Sequence, residues 1–265
     1  MAQSSSIEWT ETTWNPIAGC TKVSAGCTHC YAERMAKRLA SVARSAQANG
    51  RNPGRAANYL TVVNQRGRWN GTVFLDDGAV DDPRRWRQPR TVFVNSMSDL
   101  FHPDVPFDFI RQVFEVMNEC PQHTFQVLTK RPEIAAHFAP DLRWTDNIWM
   151  GTSVENALAS PRIKELRRIK AHVRFLSLEP LLGPLPRLSL AGIHWVIVGG
   201  ESGPGAREVK PEWVSQIRDR CLSQEVPFFF KQWGGVNKKR AGRKLDGHTW
   251  NQMPVTPSAH RATVC

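Results

Sequence analysis

The sequence predicts an α/β fold: a partial, TIM-like parallel β/α barrel of six or seven strands. Three observations predict it. Short apolar runs alternate with helical stripes along a 265-residue chain, a length that suits one such barrel. The runs are apolar on both faces, as strands buried between layers are. Each run is followed at once by a polar cluster, and in parallel α/β folds the carboxyl ends of strands line the site.

Taken in order, the elements begin with residues 1–11, which lack the basic and apolar regions of a signal peptide. No stretch approaches the roughly 18 apolar residues of a membrane span. The expectation is a cytoplasmic protein with no membrane partner. A cysteine-rich stretch, 20–30, comes next. A helix then begins near Tyr31, with Tyr31, Met35, Leu39, Val42 and Ala46 on one apolar face. Segment 50–90 is rich in Gly, Asn, Pro and Arg. It reads as a basic insertion after this first helix, with a hairpin pairing 60–63 with 72–75.

The strand runs are 91–94, 124–128, 148–150, 173–176, 193–198 and 226–230. Between them, Ile110, Val113, Phe114 and Met117 form one helical stripe. Ile163, Leu166 and Ile169 form another behind Ser160-Pro161, a good start signal. Trp213, Ile217 and Cys221 form a third behind Pro211, which places Cys221 on a core face. No linker divides the chain, so 1–265 reads as one domain, with 235–265 a basic C-terminal extension.

The net charge is +11. Residues 31–68 carry eight Lys or Arg against the single acid Glu33, and 231–265 carry seven against Asp246. These two stretches exceed the whole net charge, so the basic surface is concentrated. That suits a polyanion such as nucleic acid; the plainer alternative is a solvated face. Of the ten Trp, most are expected in the core. Trp86, among Arg84, Arg85, Arg87 and Arg90, is the better candidate for base stacking. His102 follows the second-strand cluster as a loop hydrogen-bonder or a site residue. Walker A, H-E-x-x-H and G-x-G-x-x-G patterns are missing. Gly200-Glu-Ser-Gly-Pro204 fails as a hydrolase elbow, because Pro204 stands where the second Gly belongs.

Cys20, Cys27 and Cys30 have C-x6-C-x2-C spacing just ahead of a helix. Thiolates suit iron–sulfur clusters, zinc and Cu(I), and a helix N-terminus favours an anionic group. Three ligands are too few for a closed structural zinc site, and His29, between two of them, is badly placed as a fourth. A 4Fe–4S cluster on three Cys leaves one iron open to a small molecule, S-adenosylmethionine above all. A cluster leads this reading; zinc and no metal stay open. Cys120, Cys221 and Cys265 are scattered and read as unrelated to it.

The motifs carry a resemblance over nearly the whole chain. Ile7-Glu-Trp-Thr10, Thr13-Trp-Asn-Pro16, Gly19-Cys-Thr-Lys-Val-Ser24 and His29-Cys-Tyr-Ala-Glu33 resemble the phage and bacterial three-Cys-motif family, of uncharacterised function. Leu128-Thr-Lys-Arg-Pro132, Gly151-Thr-Ser-Val-Glu155, Phe175-Leu-Ser-Leu-Glu-Pro180, Gly199-Gly-Glu-Ser-Gly203 and Leu245-Asp-Gly-His-Thr-Trp250 continue the likeness. That family is distantly similar to radical SAM enzymes of the photoproduct-lyase kind. Two features depart from those enzymes: the first cysteine gap is longer, and Gly199-Gly200-Glu201 follows a late strand.

The resemblance implies a 4Fe–4S cluster on the three Cys and a site for S-adenosylmethionine at the strand ends. Asn95, Ser98 and Asp99 stand where the methionyl contact is usual. Thr152, Ser153 and Glu155 are candidates for the ribose, and Gly199, Gly200 and Glu201 for the adenosine. Lys130 and Glu179 complete the candidate strand-end set, with the carboxylates either binding ligand or paired with Lys130 or Arg131. The expected function is a radical-SAM-like enzyme acting on nucleic acid or a nucleic-acid-associated target, with room for a partner protein. The alternative is a non-catalytic nucleic-acid-binding protein with a structural zinc or cluster.

Overall fold

The computed structural model describes residues 3–5 and 7–255. Cys265 and the end of the C-terminal extension, 256–265, lie outside the described residues. In chain order the first strands are β1 (Gln3–Ser4), β2 (Thr12–Trp14) and β3 (Ile17–Ala18), followed by helix α1 (Tyr31–Ala48). The insertion holds α2 (Asn58–Val62), β4 (Phe74–Leu75) and α3 (Asp77–Val80). Then come β5 (Thr91–Val94), α4 (Phe107–Glu119), β6 (Thr124–Thr129), α5 (Pro132–Phe138), β7 (Ile148–Ser153), α6 (Arg162–Arg167) and β8 (Arg174–Leu178). The chain continues through β9 (Trp195–Gly199), α7 (Pro211–Ser223), β10 (Phe228–Gln232), α8 (Lys238–Ala241), β11 (Lys244–Leu245) and β12 (His248–Thr249).

The main sheet runs β1-β2-β5-β6-β7-β8-β9-β10. β2 and the six strands from β5 onward are parallel and curl into an open half-barrel, with β1 antiparallel at its edge. The pleat separates two cores, because successive side chains face opposite sides. Val92, Val94, Val127, Met150, Leu176 and Val196 face the helices and pack with Ile110, Phe114, Ile163, Leu166 and Ile217. On the concave side, Phe93, Trp149, Phe175, Trp195, Ile197 and Phe229 close over Trp9. The predicted stripes of α4 and α6 are therefore buried, and Cys221 is wholly buried on α7.

One strand went unread in the sequence, and two expectations need correction. β2 gave no apolar run: it has three residues, Thr-Thr-Trp, with only its ends buried. The hairpin of 60–63 with 72–75 does not form. Residues 58–62 are the helix α2, Val63 bridges Trp69, and β4 pairs with β3. The apolar face assigned to α1 is the wrong one. Tyr31, Met35 and Val42 are 50%, 41% and 52% exposed, while Ala32, Ala36, Ala40 and Ala43 are buried. Small side chains let α1 approach Tyr59, Val62 and Met97 closely, and that contact decides the buried face.

Candidate metal centre

The three cysteines lie on one loop between β3 and α1. Cys20 follows Gly19, whose φ of +94° suits only glycine and where a Cβ would strike the Thr72 carbonyl. Gly19 bridges Ser98, whose hydroxyl donates to the Ile17 carbonyl at 2.9 Å. Cys27 ends a short 3₁₀ turn, Ala25–Cys27, and Cys30 is the N-cap of α1. A Cβ on Gly26 would run into the Glu155 carboxylate, so the turn rests directly on that side chain.

Strand-end side chains hold this loop from below. At the end of β5, Asp99 accepts from Thr129 Oγ1 (2.7 Å) and from Arg131 Nη1 (2.9 Å). Arg131, itself buried, donates on to the Thr21 carbonyl (3.0 Å) and hydroxyl (2.6 Å), and its Nη1 lies 4.0 Å from Cys20 Sγ. The Thr21 hydroxyl also meets His102 Nε2 at 2.9 Å. Past β7, Glu155 accepts from Ser24 Oγ (2.5 Å), Lys130 Nζ (2.8 Å) and Arg162 Nη1 (2.9 Å). Past β9, Glu201 accepts from His29 Nδ1 (3.0 Å) and from Arg207, which also reaches the Ala25 carbonyl at 2.9 Å. Tyr31 donates to the Ser96 carbonyl at 2.5 Å.

Electrostatics follow from this packing. Burial pushes the Cys20 thiol up to about 12, Asp99 adds to the rise, and Arg131 opposes it. Burial raises Cys30 as well, with Cys27 adding and Lys130 opposing. Cys30 also acts on Cys20, so the three thiols share one neighbourhood. For Glu155, burial works against ionisation, but Lys130, Ser24 and Arg162 outweigh it and lower the pKa. Burial likewise opposes ionisation of Glu201, and hydrogen bonds from Arg207 and His29 still bring it down to about 2.

The remaining sequence candidates fall into two groups. Thr152 and Ser153 are buried within the sheet: Thr152 donates to the Thr129 carbonyl (2.9 Å), and the Ser153 carbonyl accepts from Arg162 (2.9 Å). Gly200 gives its space to the Trp233 carbonyl, and Gly199 sits against the Glu179 side chain. Glu179 holds Lys231 Nζ at 2.8 Å. Asn95 differs from all of these. It follows β5 in the left-handed region (φ 59°), and both its amide atoms are buried without a hydrogen-bond partner among the described residues. Sequence reasoning missed Arg162, Arg207 and Lys231 as partners. Lys231 had a signal, its place in a strand-end cluster; Arg207 had none. Trp86 packs edge-on against His123, with Arg90 over its ring.

Beside Cys20 an open cleft of about 390 Å³ is lined by Thr21, Lys22, Glu33, Arg68, Trp69 and Asn70. Among the described residues, no group of three or more His, Cys, Asp or Glu is placed to hold a single metal ion. Soft thiols are nonetheless the donor type that suits a cluster. Three soft thiols are gathered beside the cations Arg131 and Lys130 at the N-terminus of an 18-residue helix.

Fold and site together define a half-barrel α/β protein that carries a three-thiol loop over the carboxyl ends of its strands. The chain belongs to the family described as "Protein of unknown function (DUF5131)", whose model matches residues 4–254. No curated protein and no solved structure matches it.

Proposed function

We propose that this protein binds a 4Fe–4S cluster through Cys20, Cys27 and Cys30 and uses it, with S-adenosylmethionine, on nucleic acid or a nucleic-acid-associated target. One observation carries the reading. Three strand ends, through Asp99 with Arg131, Glu155 with Lys130, and Glu201 with Arg207, all serve to fix one loop of three cysteines. A loop held so firmly suits a preorganised ligand set. A cluster accepts its thiolates at separate corners, so they need not converge as they would on one ion. When bound, it supplies one-electron chemistry and an open iron.

The chain's own residues supply the rest. Arg131 places a fixed positive charge beside Cys20, which favours the thiolate a metal requires. Asn95 offers a buried donor and acceptor with no partner among the described residues, which supports its reading as a contact for a polar ligand group. Glu179 and Lys231 form a pair at the ends of β8 and β10, neutral overall and able to orient a polar ligand. The basic stretch 31–68 supports nucleic acid as the polyanion acted upon.

The test is anaerobic reconstitution with metal and sulfide analysis. The expected inventory is about four irons and four sulfides per chain. Replacing Cys20, Cys27 or Cys30 by Ala should abolish it, while replacing Cys120 or Cys221 should not. Adding S-adenosylmethionine to the reduced protein should change its electron paramagnetic resonance spectrum. Stoichiometric zinc without sulfide would overturn the cluster and leave a nucleic-acid-binding protein with a structural metal.

A further inference from the structure

The exposed side of α1 carries two features, an apolar edge and a cationic edge. Met35 and Val42, large and apolar, are exposed together along one edge of the helix. Lys37, Arg38 and Arg44 are exposed on the same helix, and among the described residues they take part in no salt bridge. Other arginines behave differently: Arg55 pairs with Asp82, Arg84 with Glu119, and Arg218 with Asp246. The one acid of α1, Glu33, is buried and already bonded to Lys22 and the Trp69 amide. Nothing on the helix therefore neutralises its outward charge.

The surface continues onto the neighbouring turn. Gly67 lies against the Lys37 side chain, which brings Arg66 and Arg68 alongside α1. Arg68 and Trp69 then line the cleft that opens at Cys20. A basic track from Arg44 and Lys37 on α1 through Arg66 and Arg68 thus ends beside the cysteine loop, with Met35 and Val42 on the other edge of the exposed side.

We infer that this track binds single-stranded nucleic acid and leads it to the cleft at Cys20. The inference rests on the nucleic-acid reading above and gives it a place. Phosphates recognise the unpaired cations, and an unstacked base meets the Trp69 ring at the end of the track. A duplex keeps its base faces stacked, exposing only base edges in its grooves, and so offers none to the Trp69 ring. The cleft, with one aromatic wall at Trp69 and cations at Lys22 and Arg68, suits a nucleotide at the end of the strand.

Fluorescence anisotropy tests this on the whole chain, with labelled single-stranded and duplex DNA and RNA oligonucleotides over a range of salt. The variant K37A/R38A/R44A changes only exposed positions, and its melting temperature is compared with that of the unaltered protein. It should weaken single-strand binding at least about tenfold and lower the log–log salt slope by about 2, at roughly 0.7 for each phosphate that is no longer neutralised. The charge-matched control K164A/K170A/R187A, on exposed cations outside the track, should change affinity less than about twofold. Equal weakening in both variants, or duplex bound as tightly as single strand, would overturn the track. No binding of any oligonucleotide by the unaltered protein at low salt would instead overturn the nucleic-acid reading itself.

Discussion

Glu201 shows how single residues position the cysteine loop. Its carboxylate accepts from His29 on the loop and from Arg207, which in turn reaches the Ala25 carbonyl. These donors hold it at about 2 although burial works the other way. A carboxylate depressed in this manner stabilises the fold fully above its ordinary value near 4.5, and the contribution is lost as pH falls toward 2. Glu201→Gln should therefore cost about 2 kcal/mol at neutral pH, the scale of hydrogen bonds to a charged group. The gap between the two proteins should close between pH 4.5 and 2. Urea denaturation of the metal-free proteins across that range checks this, and a constant gap would show that Glu201 is not the titrating group.

At the scale of elements, α1 is decided by alanine. Ala36 and Ala40 are fully buried against α2 and its neighbours, while the larger Met35 and Val42 face outward. Close approach of the helix leaves no room for a longer side chain. Ala40→Leu should destabilise the protein by about 1–3 kcal/mol, as overpacking does. Val42→Ala, at an exposed position, should change stability by less than about 0.5 kcal/mol. Thermal denaturation of the two variants separates the cases. A tolerated leucine at position 40 would mean that α1 does not pack as closely as described.

The whole molecule is an open sheet, so its edges need cover. β1 borders β2 on one side. On the other, the segment after β12 runs along β10: the Phe230 amide donates to Trp250, the Gln252 amide donates to Phe228, and Asn251 bridges Phe229. Trp250 also packs edge-on against Phe228, with ring centroids 5.7 Å apart. Ending the chain at residue 246 should uncover this edge and promote aggregation, visible as light scattering on mild heating. Trp250→Ala should show the same tendency more weakly. If the shortened chain scatters no more light than the full chain and is equally stable, the segment is not the cover for β10.

Much of the plan was legible in the chain. The strands from β5 to β10 announced themselves because strands buried on both sides must be apolar throughout. The stripes of α4 and α6 did so because they face only one layer. The cysteine spacing singled out its loop because three thiols so close in sequence have few structural uses. What the sequence could not carry was partnership across distance. The direction of α1 depended on what its alanines would meet, and β4 chose β3 over the nearer 60–63. The sequence offered Lys130 or Arg131 as partners for the strand-end carboxylates without assigning them; Lys130 meets Glu155, Arg131 meets Asp99, and Glu201 is engaged by Arg207, which the sequence did not offer. The sequence alone thus determined the strand–helix alternation and the gathering of three thiols on one loop, since both rest on local pattern and residue type. Only the tertiary structure decided which charge meets which and which helix face is buried, because those depend on contacts between residues far apart in the chain.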